Sequence, residues 1–241
     1  MSVRIGTAGW AYPHWRGLFY PTTLRRSHWF AFYATEFDTA EINTSFYRLP
    51  AEADYDAWRE QAPPGFCYAV MASRYLTHVE KLKDSKDPLW VFFADAARLR
   101  DHLGPIVHQL PPYWHADLPG LEQFLKTLPH GRTHVVEFRD QSWFTTEVFR
   151  LLERYNVAHC IHDLPPWEVP PRATASTVYL RFHGGQHAGG SYAHADLEAW
   201  AERIRGWQGE GRQVWAYFGN DGRGYAIENA RTLKGLLHVQ T

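Results

Sequence analysis

The sequence predicts a (β/α)₈ barrel, the TIM-barrel-like class of α/β fold, on three observations. Eight short apolar runs rich in β-branched and aromatic residues recur along the chain. Segments with helical periodicity separate most of them. The chain has 241 residues, and such barrels typically span about 200 to over 400 residues. Because no linker, repeat or low-complexity segment interrupts the pattern, we expect one domain over residues 1–241.

The predicted strands follow one another from the first residues to the last. Each is a run in which apolar residues continue or alternate, as in strands buried on one or both faces. The eight runs are VRIGTAGW (3–10), TAEINTSFY (39–47), FCYAVMASR (66–74), PIVHQLPP (105–112), THVVEFRD (133–140), VAHCIHD (157–163), TVYLRFHG (177–184) and QVWAYFGND (213–221).

Helices are predicted between most of these runs from apolar residues spaced i, i+3, i+4 and i+7. Asp87-Pro88 marks the start of another, because it combines a capping side chain with a first-turn proline. The periodic sets are Phe30, Tyr33, Ala34 and Phe37; Leu121, Phe124, Leu125 and Leu128; Val148, Leu151, Leu152 and Tyr155; and Leu197, Trp200, Ala201 and Ile204. Residues 164–176, LPPWEVPPRATAS, carry four prolines, so the helix between strands six and seven is predicted to be missing or degenerate.

A doubly wound open sheet is the competing fold. It usually has fewer strands and a glycine fingerprint in its first turn, and no GxGxxG occurs in this sequence.

Composition and charge exclude some classes of function. Lys+Arg 25 against Asp+Glu 26 gives a net charge of -1, so no global positive field gathers nucleic acid or an anionic membrane. The N-terminus has no signal-peptide pattern, and no apolar stretch is long enough to span a bilayer. Cys67 and Cys160 lie in apolar runs without metal-ligand spacing, which indicates buried thiols in a reducing compartment. We therefore expect a cytoplasmic protein with no membrane partner.

Polar residues gather where the predicted strands end. In a barrel of this class the C-terminal strand ends build the active site. Residues two apart on a strand share a face, as Glu137 and Arg139 do in the fifth run. The convergent set is Glu41, Asn43 and Ser45; Gln109; Glu137 and Arg139; His162 and Asp163; Arg181 and His183; and Asn220 and Asp221. Several buried charges are costly unless paired, so a binding site explains the set better than barrel-plugging salt bridges do.

Glycine-rich loops follow the last two strands, at residues 183–192 and 219–225. Loops in these positions often hold phosphate, and the guanidinium groups of Arg139, Arg181 and Arg223 match phosphate or carboxylate. An anionic ligand is the resulting prediction, with flexible surface loops as the alternative.

Aromatic residues near the same rim, in residues 9–21, are interpreted as pinning a long loop, with stacking on a ligand as the alternative. No cofactor is predicted. A divalent metal stays open, because His14, Glu137, His162, Asp163, His183 and Asp221 have suitable atoms while HExxH and other short ligand spacings are missing.

Several motifs in order resemble the domain of unknown function 72 family, also called YecE-like. They are GTAGWAYPHWRGLFYP, AEINTSFYRLP, SRYLTH, QLPP, VEFRDQSW, VYLRFHGG and FGND followed by ENA, and they run from Gly6 to about Leu237. The resemblance implies a TIM-barrel-like fold and brings no established reaction. It places the family's recurring polar residues at His14, Glu41, Asn43, Gln109, Glu137, Arg139, Asp163, Arg181, His183, Tyr192, Asn220, Asp221 and Asn229. Members often have a lysine at the position of Met71 and an extra asparagine at that of Gly219, so this chain departs from the pattern at both.

The leading hypothesis is an enzyme that performs acid–base chemistry on a small, polar, anionic ligand. Glu137 would be the base or acid, charged by Arg139, and His183 the opposite proton carrier, oriented by Asp163. The remaining residues of the set would bind the substrate: Arg181, Asn43, Gln109, His14, Glu41, Tyr192, Asn220, Asp221 and Asn229.

Three alternatives remain. One is a metal-dependent phosphodiester hydrolase acting on nucleic acid, which the net charge disfavours. Another is a glycoside hydrolase with Glu41 and Glu137 as its two carboxylates. The third is a non-catalytic ligand-binding protein. The oligomeric state has no signature in the sequence.

Overall fold

The structure, a computed structural model, describes residues 2–74, 86–185 and 190–239, and only the backbone of residues 86–88. An eight-stranded parallel sheet forms its centre, in the order β1-β8-β7-β6-β5-β4-β3-β2. The strands are β1 (Val3–Thr7), β2 (Thr39–Ile42), β3 (Cys67–Met71), β4 (Leu103–Gln109), β5 (His134–Glu137), β6 (Ala158–His162), β7 (Thr177–Phe182) and β8 (Gln213–Phe218). The predicted TIM-barrel-like fold is confirmed.

The seam between β1 and β2 closes the barrel more loosely than the other strand pairs. A single bridge joins Ala8 and Glu41, and the Gly9 N–H donates a hydrogen bond to the Glu41 carbonyl at 2.9 Å. Below the bridge the two strands touch, because a Cβ on Gly6 would lie 2.2 Å from the Thr39 carbonyl oxygen. Glycine is required at this point of the seam.

Gly6→Ala is therefore expected to destabilise the protein. The added methyl group forces backbone apart, and such overpacking typically costs about 1–3 kcal/mol. Urea unfolding measures the difference in the free energy of unfolding between the wild type and Gly6→Ala. Gly235→Ala on the C-terminal helix is the matched control, because a Cβ there meets nothing within 4 Å. The control should be neutral or stabilising, and equal behaviour of the two variants would contradict the close approach.

Helices cover most of the connections between strands. They are α1 (Trp29–Tyr33), α2 (Thr44–Tyr47), α3 (Glu52–Gln61), α4 (Lys86–Ala96), α5 (Leu118–Thr127), α6 (Thr146–Arg154), α7 (His194–Gly209) and α8 (Tyr225–Leu237). Residues 163–176, between β6 and β7, contain no helix, as their prolines predict. The side chains of the predicted helix start, Asp87-Pro88, lie outside the described residues.

The second predicted strand is too long. β2 ends at Ile42, and residues 44–47 form α2, so the predicted common strand face of Glu41, Asn43 and Ser45 is wrong beyond Ile42. The Ser45 hydroxyl donates to the Met71 carbonyl at 2.6 Å and turns the chain inward over β3. A side-chain hydrogen bond of this kind outweighs the strand preference of Thr, Phe and Tyr.

The barrel interior contains both apolar and polar side chains. Buried Val107 and Val135 are register partners on neighbouring strands. The Tyr179 and Tyr217 rings lie 5.3 Å apart, and the Tyr217 hydroxyl is 2.6 Å from the Thr39 hydroxyl. The Tyr179 hydroxyl in turn contacts Glu41, one of the charged residues at the mouth.

Cysteine burial differs between the two thiols. Cys160 is buried, as predicted, whereas Cys67 is partly exposed at the start of β3. Both are free thiols.

A buried histidine lies on the outer face of the sheet. His159 is 1% exposed, and its ring lies 5.1 Å from that of Phe149 and 5.7 Å from that of Phe144. Neither of its ring nitrogens has a hydrogen-bond partner among the described residues. Burial, aided by the nearby His162, lowers its pKa to about 3 against weaker opposing effects of the Pro170 carbonyl and Glu137. The ring is therefore neutral at neutral pH.

Candidate functional site

Four predicted site residues form one charged cluster at the C-terminal mouth. Glu41 and Glu137 are 0% exposed, and Arg139 and Arg181 are 8% and 7% exposed. They come from β2, from the end of β5 and the residues after it, and from β7. The barrel brings together side chains that are far apart in sequence.

Arg181 bridges the two carboxylates. Its Nη1 donates to Glu137 Oε2 at 2.6 Å, and its Nη2 donates to Glu41 Oε1 at 2.8 Å. Arg139 binds the other oxygen of Glu137 through both Nε and Nη2. The Tyr179 hydroxyl donates to Glu41 Oε2 at 2.7 Å. All four carboxylate oxygens therefore have a protein donor.

The cluster is held in its ionised form. Burial favours a neutral Glu137, but the guanidinium groups of Arg181 and Arg139 outweigh burial and hold its pKa well below its usual range. Burial likewise opposes charge on Arg181, and the two carboxylates outweigh it and raise that pKa. Two negative and two positive charges thus neutralise each other inside the barrel.

Three neighbours of the cluster were missed in the sequence. Tyr179 lies two residues before Arg181 on the same strand face, and Cys160 lies two before His162, so strand alternation was the available signal. The Cys160 thiol is 3.7 Å from Glu137 Oε2, and burial raises its pKa well above the usual value. Met71 Sδ is 3.5 Å from Arg181 Nη2. A lysine at that position would place a further cation against Arg181.

Asp163 contacts the backbone of His183 rather than its ring. Its Oδ1 accepts the His183 N–H at 2.7 Å, and its Oδ2 accepts the Tyr192 hydroxyl. That hydroxyl in turn accepts the Gly184 N–H at 2.8 Å. Asp163 and Tyr192 therefore fix the chain that leaves β7.

The His183 ring carries an unsatisfied nitrogen. Its Nε2 is buried and has no hydrogen-bond partner within residues 2–74, 86–185 and 190–239. Burial, followed by the positive charge of Arg181, lowers its pKa to about 3, so the imidazole is neutral at neutral pH. The ring of His162 lies 6.3 Å away, but its Nε2 is 2.9 Å from the Phe138 carbonyl and its Nδ1 accepts the Leu164 N–H at 3.3 Å. Of these two histidines, only His183 has a buried nitrogen left for another molecule.

Asn220 and Asn229 organise the loop before α7. Asn220 Nδ2 donates to the Gly190 carbonyl at 2.6 Å and to Asn229 Oδ1 at 2.8 Å. Asn229 Oδ1 also accepts the Tyr192 N–H at 3.4 Å. In the part of the chain that the structure describes, the buried Asn220 Oδ1 atom has no partner.

His14 and Asp221 form a separate pair at the rim. His14 Nε2 is 2.8 Å from Asp221 Oδ2, and Trp15 Nε1 donates to Asp221 Oδ1 at 2.5 Å. The pair fastens the loop after β1 to the loop after β8. Burial raises the pKa of Asp221, while Trp15 and His14 oppose the shift.

Asn43 and Gln109, the neutral residues predicted to position the substrate, lie at the C-terminal ends of two strands. Asn43 follows β2, and its Nδ2 approaches the Ala8 carbonyl at 3.5 Å. Gln109 ends β4 and is the register partner of Glu137, so both side chains face the barrel interior. Residues 186–189 of the first predicted glycine loop lie outside the described residues.

A cavity of about 440 Å³ opens between the segment after β6 and α7. Its lining includes His162, Asp163 and Trp167, with Trp200 and Arg203 from α7. It falls within the roughly 300–1,000 Å³ typical of small-molecule sites. The segment without a helix, 163–176, contributes Trp167 to its wall.

The described residues contain neither a candidate metal cluster nor a membrane-spanning helix. Within the described ranges, no group of three or more His, Cys, Asp or Glu side chains is arranged to hold a metal ion. Across the same part of the chain, every helix is too short or too polar to cross a bilayer.

Comparison with known proteins agrees with the fold. The chain is 23% identical over 273 residues to the UPF0759 protein YunF of Bacillus subtilis (strain 168), covering 99% of this chain and 95% of that protein. A DUF72 family protein from Thermotoga maritima MSB8 superposes with a TM-score of 0.88 at 24% identity, covering 99% of this chain and 100% of that one. Another, from Enterococcus faecalis V583, has a TM-score of 0.85 at 18% identity, covering 100% and 97%.

The model of the family described as protein of unknown function DUF72 matches residues 4–241. Because this match spans nearly the whole sequence, the chain belongs to the DUF72 family.

Proposed function

We propose that the protein is an enzyme that performs acid–base chemistry on a small polar ligand bearing a phosphate or carboxylate. The ligand binds at the C-terminal mouth of the barrel, and His183 is the proton carrier that touches it. The observation that carries the proposal is the buried, unpartnered Nε2 of His183 beside the Arg181–Glu137 ion pair.

An unpaired buried polar atom costs about 1–3 kcal/mol, so such atoms in native proteins call for a partner. A ligand group that pairs with His183 Nε2 recovers this free energy on binding. Because the ring is neutral, it can donate or accept at that atom according to its tautomer.

We assign the binding of the ligand's phosphate or carboxylate group to Arg139. Its Nε and Nη2 bind Glu137, and the guanidinium carbon lies 5.7 Å from the centre of the Trp167 ring. Nη1 has no hydrogen-bond partner among the described residues, and guanidinium N–H groups match carboxylate or phosphate oxygens.

Glu137 has a supporting part in this proposal. Its two carboxylate oxygens are buried and bound by Arg139 and Arg181, so neither is free to take a proton from a ligand. Its charge instead holds Arg139 and Arg181 in position. The low pKa of Glu137 counts against a glycoside hydrolase, since the acid of that pair requires a raised pKa.

The test begins with a thermal-shift screen of phosphorylated and carboxylated metabolites. A ligand at about 100 times its Kd stabilises by about 2.7 kcal/mol, which is about 5–11 °C for a domain of this size. Turnover of each hit is then compared in the wild type, His183→Phe and His194→Ala, an exposed control on α7.

His183→Phe keeps a ring and removes the unpartnered nitrogen, so the variant should fold at least as stably as the wild type. We expect turnover to fall by about 10²–10⁴-fold. His194→Ala should be unchanged. Undiminished turnover in His183→Phe would refute the assigned role, and hits that bind without turnover in the wild type would favour a non-catalytic binding protein.

A further inference from the structure

A second cavity, of about 280 Å³, opens at the mouth above the seam between β1 and β2. Its walls include Trp10 and Tyr12 from the loop after β1, and Trp58 from α3. Glu41 and Asn43 form a polar end. Because Glu41 also binds Arg181 at 2.8 Å, this cavity adjoins the charged cluster.

The walls of the cavity are fixed by other aromatic groups. The Trp10 and Trp58 rings lie 6.2 Å apart at 84°, so they meet as a corner. Trp10 also packs on Phe30 at 5.3 Å, and its carbonyl accepts the Tyr20 hydroxyl at 2.5 Å. The Trp58 carbonyl accepts the Tyr68 hydroxyl at 3.0 Å. A preformed corner costs a ligand little ordering free energy.

The size and lining of this cavity indicate which kind of chemical group it can bind. A dry apolar cavity of about 150 Å³ holds benzene, so a cavity of nearly twice that volume admits one or two fused rings. Three of its nine lining residues, Trp10, Tyr12 and Trp58, carry aromatic rings, which favours a flat ring over a sugar with hydroxyls on every edge. The Glu41 carboxylate is already bound by Arg181 and Tyr179, so it has no free charge for a cation.

The Asn43 amide lies in the cavity wall beside the Tyr12 hydroxyl, where it can also meet the edge of a ring. Its Nδ2 reaches the Ala8 carbonyl only at 3.5 Å, a weak contact. An amide side chain can pair with an adjacent donor and acceptor on a planar heterocycle.

We propose that this compartment binds a flat, uncharged ring, and that the substrate is an aromatic or heteroaromatic acid. The ring lies in the corner of Trp10 and Trp58 while the acidic group lies at the charged cluster. The second half of this inference rests on the proposed function, whereas the ring compartment stands on its own geometry.

Calorimetric titration with phenyl phosphate, inorganic phosphate, benzyl alcohol and tetramethylammonium tests the compartment. Phenyl phosphate should bind at least about tenfold more tightly than inorganic phosphate, because ring stacking adds to the anion contact. Trp58→Ala should abolish that difference. Trp90→Ala on α4, which removes a tryptophan that is 58% exposed, is the matched control and should retain it.

Ala11→Phe is a second variant, which fills the cavity instead of removing a side chain from its wall. Ala11 is exposed and lines the cavity, so the larger side chain should block the ring while leaving phosphate binding unchanged. Equal affinities for phenyl phosphate and phosphate in the wild type would overturn the placement of ring and acidic group in one substrate. Failure of benzyl alcohol to bind the wild type, or its undiminished binding to both cavity variants, would overturn the ring compartment. Tighter binding of tetramethylammonium than of benzyl alcohol would overturn its uncharged character.

Benzyl alcohol separates the two proposals. If it binds and Trp58→Ala removes that binding, the ring compartment is supported whatever the anions do. If inorganic phosphate and phenyl phosphate then bind no better than benzyl alcohol, the acidic-group part of the proposed function fails.

Discussion

Arg181→Met is expected to destabilise the protein by about 3–5 kcal/mol, because breaking a buried ion pair leaves an uncompensated charge. Arg181 neutralises both Glu41 and Glu137, and each is 0% exposed. Without Arg181, Glu137 still forms its ion pair with Arg139. Among the described residues, Glu41 then retains only the hydrogen bond from the Tyr179 hydroxyl. The loss corresponds to a fall in Tm of roughly 6–20 °C for a domain of this size.

Urea unfolding and thermal melts measure this loss. A second substitution, Glu41→Gln in the Arg181→Met background, removes the stranded carboxylate and should restore part of the stability. Arg203→Met replaces an exposed arginine on α7 and should change stability by less than about 0.5 kcal/mol. If Arg181→Met is as stable as Arg203→Met, the cluster does not hold the charges described.

Acid is expected to destabilise the protein through His159, and His159→Phe is expected to remove that part of the effect. An unfolded histidine has a pKa of about 6.5, whereas His159 in the fold has a pKa of about 3. Because the folded value is lowered, its contribution to stability is complete above about pH 6.5 and is lost as pH falls towards 3. At pH 4 the loss is about 3 kcal/mol.

The measurement is the free energy of unfolding at pH 7.5 and pH 4 for the wild type, His159→Phe and His194→Ala. Carboxylates titrate alike in all three proteins. The difference in acid destabilisation between the wild type and His159→Phe therefore reports the titration of the buried His159 ring. His159→Phe should be at least as stable as the wild type at pH 7.5, since it removes nitrogens that lack hydrogen-bond partners and keeps an aromatic ring beside Phe144 and Phe149. An identical acid dependence in wild type and His159→Phe would show that His159 is not buried as a neutral ring.

The positions of the strands were predictable because the barrel buries nearly every strand residue. Runs such as CYAVM of β3 carry no charge on either face, so their composition identifies them without tertiary information. The absence of a helix from the proline-rich segment 164–176 was equally predictable, because proline cannot donate the hydrogen bonds of a helix interior.

The ends of the strands were not predictable from the same signals. In residues 39–47 the residue types favour a strand throughout, yet the chain turns into α2 after Ile42. The deciding contact is the Ser45 hydroxyl on the Met71 carbonyl, which joins residues 26 apart in sequence. Residue preferences along one segment contain no information about such a partner.

Many residues of the candidate site were predictable from the sequence, but the contacts between them were not. Alternation placed Glu137 and Arg181 towards the mouth, and the structure joins them at 2.6 Å. The contact of Asp163 with the His183 backbone and the free Nε2 of the ring depend on the exact course of the loops after β6 and β7. The roles assigned to these side chains remain predictions for the experiments above.

Arg181 also constrains the order in which the chain can acquire its final state. Its two carboxylate partners lie 140 and 44 residues earlier in the sequence. During synthesis from the N-terminus, Glu41 and Glu137 are made before the guanidinium that neutralises them, so contacts of this range form late and slow folding. A fragment that ends before β7 would retain both acids without their bridge, and the barrel is expected to become stable only when β7 joins it.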